Sequence, residues 1–461
     1  MEKSTLAQLI RSFSPLEIRE LRKFLTSPFF NQREDLVRLF EFLTDEKTAL
    51  DKETAHRRAT AGKPFDPQEN RLLMSYLHKL VEQYIAIKEF TTDKINVEMH
   101  LVAGYRRRGL GQAFQRTRRD LENTLEKQPL RDANYHRTRH QLQWEEHRLA
   151  STDDPTAADR LHRLADHLDI EYLSRKLSHA CLLLSHSTVY HADYQPDIEE
   201  TLLALAEKKG WLEVPAIAVY LHCLRMLREP DEVAHFQKFK HLLLEHGQRF
   251  PADEIRTPYL MAVNYCIRRL NAGEKTWFRE AFDLYKTGLA NGYLLENGEL
   301  SRFAYHNIVA AALQSEELDW ASGFIHEYRT YLSRQYRESS FSFNLARLEY
   351  ARRNFDAVLT LLQKANYRDP LLNLAAKTLL LKTWYELDER DLLQSHLDAM
   401  RNYIHRKRVI GYHRTNYLNI IRFTDKLLNL NFLNKADTEK LRAAIAKEDT
   451  LTEREWLLRW L

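Results

Sequence analysis

The sequence predicts an all-α protein, a right-handed α-solenoid of helix pairs preceded by a small helical module. Three observations predict it. Apolar residues recur at three- and four-residue spacing almost throughout, the period of amphipathic helices; Val214, Ile217, Tyr220 and Leu224 form one stripe, and Phe278, Phe282, Tyr285 and Leu289 another. Glycine and proline number only 12 each in 461 residues, about 2.6% apiece against typical usage of about 7% and 5%, too few for the turns of a sandwich or a βαβ fold. The prolines precede helical patterns, as in Val214-Pro215, Phe250-Pro251 and Asp369-Pro370, where a missing N–H costs nothing. Asn271-Ala272-Gly273 and Asn291-Gly292 stand where helices stop.

Residues 1–91 form the N-terminal module. Helices are expected near 4–12, 15–27, 32–44 and 67–90, joined at Ser14-Pro15, Ser27-Pro28 and Lys63-Pro64-Phe65-Asp66-Pro67, with Phe29 and Phe30 closing the core. Residues 92–408 divide into eight helix pairs beginning near 93, 132, 169, 211, 254, 298, 338 and 371, the spacing of helical-hairpin repeats. Self-similarity is clearest late: Asn354-Phe355-Asp356-Ala357-Val358-Leu359 aligns 35 residues on with Glu389-Arg390-Asp391-Leu392-Leu393, and Leu318-Asp319-Trp320-Ala321 takes the same place one hairpin earlier. Residues 409–461 supply capping helices, ending in Trp456, Leu457, Trp460 and Leu461 to cover the apolar face of the last repeat.

Tyr350, Ala357 and Pro370 resemble the aromatic, small and helix-breaking positions of tetratricopeptide-type repeats, although the Trp-Leu-Gly opening of that family is missing. Over most of its length the chain is similar to a group of uncharacterised bacterial tetratricopeptide-like helical-repeat proteins. The likeness rests on Ser27-Pro28-Phe29-Phe30-Asn31, the run Asn264 to Gly273, Asn307 through Trp320-Ala321, and Arg401-Asn402-Tyr403. It implies a fold and no activity.

Composition narrows the function. Hydrophobic residues are 44% and charged residues 29%, which excludes a mostly disordered chain. A net charge of +4 excludes a strong polycation, so any nucleic-acid binding must come from local patches. Cys181, Cys223 and Cys266 are odd in number, far apart and set in apolar stretches, the pattern of buried reduced thiols. No stretch approaches the ~20 apolar residues of a membrane span, and Gln8, Arg11 and Ser12 interrupt any signal-peptide core. A cytoplasmic protein with no membrane association is expected.

Catalytic and cofactor motifs are not found. No phosphate loop or nucleophile elbow occurs, and Gly109-Leu110-Gly111 follows a helical pattern, not a strand. Adjacent carboxylates such as Glu145-Glu146 and Glu316-Glu317 point about 100° apart on a helix and read as solvated faces. His136, His140 and His147 share one helix face with Trp144, which suits packing better than a metal. No enzyme activity, cofactor or metal is expected.

Surface binding remains. A stack of hairpins leaves a long face for a peptide, helix or partner protein, and Asn264, Arg268, Tyr305, Asn307 and Lys377 are the candidate contacts on the inward first helices. Asn264 and Asn307 equally suit hydrogen bonds within the stack. The expected function is therefore a protein-interaction scaffold or adaptor. The alternative is a nucleic-acid-binding or regulatory protein, because Arg401, Arg406, Lys407, Arg408, Arg414 and Arg422 occur without an intervening acid and are interleaved with Tyr403, Tyr412 and Tyr417. An acidic partner satisfies the same charges. A second cluster gathers Arg106, Arg107, Arg108, Arg116, Arg118 and Arg119, and the competing reading of both clusters is solvated helix ends.

Overall fold

Helix accounts for 80% of the chain and strand for 1% in the computed structural model, so the class is all-α. The structure describes residues 4–45, 51–149, 157–190, 200–364, 367, 369–406 and 411–461. Among them, no helix is long and apolar enough to cross a membrane. Two compact units divide the chain, Met1–Pro129 with Asn134–Asp169, and Leu130–Ala133 with Ile170–Leu461. The sequence suggests three segments instead; the first two expected helix pairs group with the N-terminal helices, and the expected capping helices group with the later pairs.

The first unit contains α1 (Thr5–Arg11), α2 (Pro15–Leu25), α3 (Glu34–Thr44), α4 (Lys52–Ala59), α5 (Pro67–Thr92), α6 (Lys94–Arg107) and α7 (Gly111–Lys127), with most of α8 (Ala133–Leu149) and the start of α9 (Ala157–Tyr190). Local chemistry sets the starts. Ser14 Oγ accepts from the Glu17 amide while the Glu17 carboxylate accepts from the Ser14 amide, a reciprocal cap with Pro15 in the first turn. Leu21, Leu25, Leu39, Phe40, Leu77 and Val81 then form a core across α2, α3 and α5. Helix α4 was not expected, because Ala55 and Ala59 are its only buried apolar side chains and leave no visible stripe. The expectation for the Phe29-Phe30 pair is half corrected: Phe30 stacks on Phe24 at 4.2 Å, whereas Phe29 is 86% exposed.

A second correction concerns α9. The third helix pair was expected to begin near 169, yet α9 runs unbroken for 34 residues because Ala157–Tyr190 contains neither glycine nor proline. The prolines at 155 and 196, read as helix starts, lie outside the described residues.

The second unit carries the remainder of α9 and consecutive packed helices: α10 (Glu200–Lys208), α11 (Pro215–Arg228), α12 (Val233–His246), α13 (Ala252–Asn271), α14 (Trp277–Ala290), α15 (Arg302–Gln314), α16 (Leu318–Glu327), α17 (Arg337–Ala351), α18 (Phe355–Lys364), α19 (Pro370–Glu386), α20 (Arg390–Arg406), α21 (Gly411–Leu428), α22 (Lys435–Lys447) and α23 (Arg454–Arg459). Each pair packs internally, and its second helix packs on the first helix of the next pair, as α12 on α13, α14 on α15, α16 on α17 and α18 on α19. First helices also meet directly, α15 on α17 and α17 on α19. Tyr259, Tyr285, Tyr305, Phe236 and Phe282 fill the core, and burial holds all three tyrosine hydroxyls well above their ordinary pKa.

The turns inside three successive pairs share one backbone device. Glu316, Arg353 and Asp388 have φ of 62°, 61° and 55°, and the following-residue amides of Glu317, Asn354 and Glu389 bond back to Ala312, Glu349 and Trp384 carbonyls at 2.9, 2.9 and 3.0 Å. This closes each first helix through a left-handed residue. A non-glycine there costs roughly 1 to 2 kcal/mol, so the repeated bend is held by the packing on both sides of it. Between α14 and α15 lies a short antiparallel hairpin, Leu295–Glu296 with Glu299–Leu300, not anticipated from periodicity. Its turn is Asn297-Gly298, both with positive φ, the two-residue hairpin signal.

Cys181, Cys223 and Cys266 are buried free thiols, as expected; burial pushes Cys266 up to about 12 and Cys223 well above its ordinary range. The last segment folds onto its own chain. Trp456 and Leu457 are buried in the core of α19 to α21, and Tyr385 meets the rings of Trp456 and Trp460 at 5.3 and 5.0 Å.

Candidate functional site

A polar cavity of about 620 Å³ opens on the first-helix side of α15, α17, α19 and α21, with Thr452, Glu453 and Arg459 of the last segment at its edge. Helix α17 contributes Phe343, Arg347 and Tyr350, one helical turn apart, and α19 contributes Thr378, Lys382 and Glu386 at the same spacing. Arg347 and Lys382 are 35 residues apart, the offset of the repeat itself, so the two cations occupy equivalent places on successive hairpins.

Their surroundings differ. Lys382 Nζ lies 2.7 Å from a Glu453 oxygen and 4.6 Å from the centre of the Tyr350 ring. Glu386, with its side chain only 3% exposed, accepts from the Tyr350 hydroxyl at 2.8 Å, the Trp456 indole at 3.2 Å and Arg353 at 3.2 Å. Burial, then Glu386, raises the Tyr350 hydroxyl pKa far above its ordinary value. Arg347 Nη1 donates only to neutral acceptors, the His306 carbonyl at 3.1 Å and Asn344 Oδ1 at 3.3 Å. Among the described residues no carboxylate lies within ion-pair distance of Arg347. Burial lowers its pKa to about 10, opposed by the more distant Glu453 charge. Beneath it, His306 is held to about 4, first by burial and then by Arg347, while Asn344 Nδ2 donates to its Nδ1 at 2.8 Å.

The cavity therefore combines aromatic walls with the engaged carboxylates Glu386 and Glu453 and with the buried Arg347 guanidinium, which meets no carboxylate within ion-pair distance among the described residues. A desolvated guanidinium attracts an anion more strongly than the same group in water.

The five predicted contact residues lie elsewhere. Asn264 and Arg268 are exposed on α13, and Arg268 covers the Tyr265 ring at 5.2 Å. Tyr305 is a correction, for its side chain is 0% exposed and its hydroxyl donates to the Ile325 carbonyl at 2.7 Å. Asn307 is exposed on α15 and interacts with the Tyr285 side chain of α14, the bridging role sequence had left open. Lys377 is half-buried over the Tyr403 ring at 5.8 Å, with its pKa lowered by burial and then by Arg406.

The late basic patch is also partly neutralised. Arg401 pairs with Asp398 at 2.6 Å and Asp425 at 3.5 Å, and Arg422 pairs with Glu448 at 2.6 Å. Arg406 and Arg414 are exposed, whereas Lys407 and Arg408 lie outside the described residues. Tyr403 and Tyr417 are partly buried against the α19 to α21 core, with Tyr417 at the cavity wall, and burial lifts Tyr417 to about 12; Tyr412 remains 64% exposed.

In the first unit, Arg106 pairs with Glu145, and Arg118 pairs with Glu122 at 3.1 Å and Glu146 at 2.5 Å. Glu145 and Glu146 are thus half-buried ionic partners, not the solvated face expected of them. His136 Nδ1 sits 3.0 Å from His167 Nδ1, while His147 stacks on Trp144 at 5.6 Å. His167 is depressed to about 4 by burial and then by Arg139. Among the described residues, no three potential metal ligands converge.

Arg347, Lys382 and Glu386 are not among the expected site residues, and Tyr350 is expected only as the aromatic position of a repeat. A signal for the first two existed in the 35-residue register. The partners of Glu386 carried none, because Trp456 is brought to it only by the return of the last segment. Comparison with protein-family models, curated proteins and solved structures finds no match.

Proposed function

We propose that the protein is a partner-binding scaffold or adaptor, its helix pairs arranged as a right-handed α-solenoid of tetratricopeptide-like repeats. The docking surface is the first-helix side of α15 to α21, and it takes a peptide or helix of a partner protein. One observation carries this reading: an open, aromatic-walled cavity places a charged side chain without a counter-charge where successive first helices meet. Phe343, Tyr350 and Phe355 supply aromatic walls within an otherwise polar cavity, a pairing of anchors and charges that suits a docked peptide.

The nucleic-acid reading draws less support. Charges that contact a phosphate backbone must be free to replace counterions, and Arg401 and Arg422 are already paired.

Selection of displayed random peptides on the immobilised full chain tests the proposal. Enriched sequences should lose binding when Tyr350→Ala and Phe355→Ala open the cavity wall, and keep it with Arg414→Glu on the exposed patch. Failure to enrich any sequence, or enrichment indifferent to the wall substitutions, would remove the reading.

A further inference from the structure

We infer that this cavity recognises an acidic peptide segment, seating a side-chain carboxylate on Arg347 beside the chain's own Glu453; the inference rests on the scaffold reading above. Charge complementarity is the first ground. Lys382 and Arg353 are engaged by Glu453 and Glu386, while Arg347 bonds only a carbonyl and an amide oxygen. A guanidinium offers five N–H donors in a planar fork, and the two bonds made by Arg347 both use Nη1. A carboxylate matches the remaining fork in bidentate fashion and offsets the desolvation of the charge.

The second ground is the occupant already at the edge. Glu453 reaches Lys382 from a peptide backbone held at φ 55° and ψ 26°, and three residues later Trp456 donates its indole to Glu386. The chain itself thus demonstrates an acidic residue seated at the edge of this wall, with an aromatic one turn further on. The 35-residue repeat places a second cation, Arg347, in the equivalent position one hairpin away, and there no carboxylate has been supplied.

The same geometry discriminates against more highly charged ligands. Glu316, Glu386 and Glu453 line the cavity with Arg347. A phosphate dianion or a run of phosphates would meet more repulsion from these carboxylates than a single carboxylate does. Arg459 at the cavity edge likewise makes no ion pair among the described residues, so the wall presents two guanidinium groups to an acidic segment, with Arg347 the more buried.

Fluorescence anisotropy of the full chain tests this with two labelled peptide pools. In one, glutamates alternate with mixed aromatic and small residues; in the other, glutamine replaces every glutamate. At about 0.1 M salt the glutamate pool should bind about tenfold or more tighter than the glutamine pool, and Arg347→Gln should remove that preference. Arg347→Lys should recover only part of it, because a lysine cannot form the fork, and Arg414→Glu should leave it intact. If Arg347→Gln does not fold, the Arg347 Nε resonance of the native chain provides the second measurement, and it should shift with the glutamate pool and not with inorganic phosphate. Equal affinity for both pools, an unchanged preference in Arg347→Gln, or displacement by millimolar phosphate overturns the inference. In those cases peptides selected against the cavity wall still uphold the scaffold reading; binding by neither pool and no selected peptide removes both.

Discussion

Arginine is treated oppositely in two regions of the chain. Across α6, α7 and α8, Arg106 and Arg118 each reach a glutamate presented by α8, so the half-buried cations of that region are matched within the fold. Across α15, α17 and α19, Arg347 is drawn from water by its neighbours and is matched only by neutral oxygens. A paired, half-buried arginine is explained by the structure that contains it. An unpaired one at the wall of a cavity costs stability unless something outside the described chain meets it, which is why the second region and not the first reads as a site.

The comparison can be broken by substitution. Glu145→Ala should cost about 2 to 4 kcal/mol, since it strands the Arg106 charge in a half-buried setting, and the loss should appear as a lower midpoint of urea unfolding. A variant as stable as the native chain would show that the first region does not need its match. The next largest effect is on pH dependence. His306 has its folded pKa lowered to about 4 from an unfolded value near 6.5, so the unfolded state binds the proton first. Its contribution is complete above about pH 6.5 and is lost as pH falls towards 4, worth up to about 2 to 3 kcal/mol. His306→Gln should flatten that part of the stability profile measured by thermal unfolding at successive pH values.

Arg347→Met sharpens the contrast from the other side. No ionic partner is lost and a desolvated charge is removed, so the change in stability should be within about 1 kcal/mol of zero, in either direction. A loss as large as that of Glu145→Ala would make Arg347 a structural residue like Arg106. Smallest is the paired substitution Arg406→Glu with Arg414→Glu, at exposed positions. Each should shift stability by no more than about 0.5 kcal/mol, and binding to single-stranded oligonucleotides at low salt should be weak both before and after. A strong, steeply salt-dependent affinity abolished by these changes would restore the nucleic-acid reading.

Much of the fold was legible because helix periodicity and its punctuation are local. Pro215 and Pro370 open α11 and α19 where expected, and Gly273 and Gly292 follow the ends of α13 and α14 with positive φ. Seven of the eight expected pair starts, near 93, 132, 211, 254, 298, 338 and 371, fall within a few residues of Lys94, Ala133, Pro215, Ala252, Arg302, Arg337 and Pro370. The failures have physical causes too. Helix α4 has too small a buried stripe to register, and the start expected near 169 was imposed on a helix that nothing in its sequence interrupts.

The site was much less legible. Choosing Tyr305 and Lys377 as inward-facing required the rotation of each first helix about its axis, which the packing of the second helices decides; Tyr305 turned into the core and Lys377 towards Tyr403. Pairing was equally hidden. Arg422 finds Glu448 and Arg118 finds Glu146 from 26 and 28 residues away, so clusters that look uniformly basic along the chain are partly neutralised in space.

Periodicity, helix stops and the 35-residue offset belong to the chain alone, because they reflect backbone preferences and apolar spacing over a few turns. Which cation keeps a partner belongs to the folded molecule. Coulomb attraction and desolvation depend on distance in space, and only folding brings Glu453 to Lys382 while giving Arg347 hydrogen bonds to neutral oxygens.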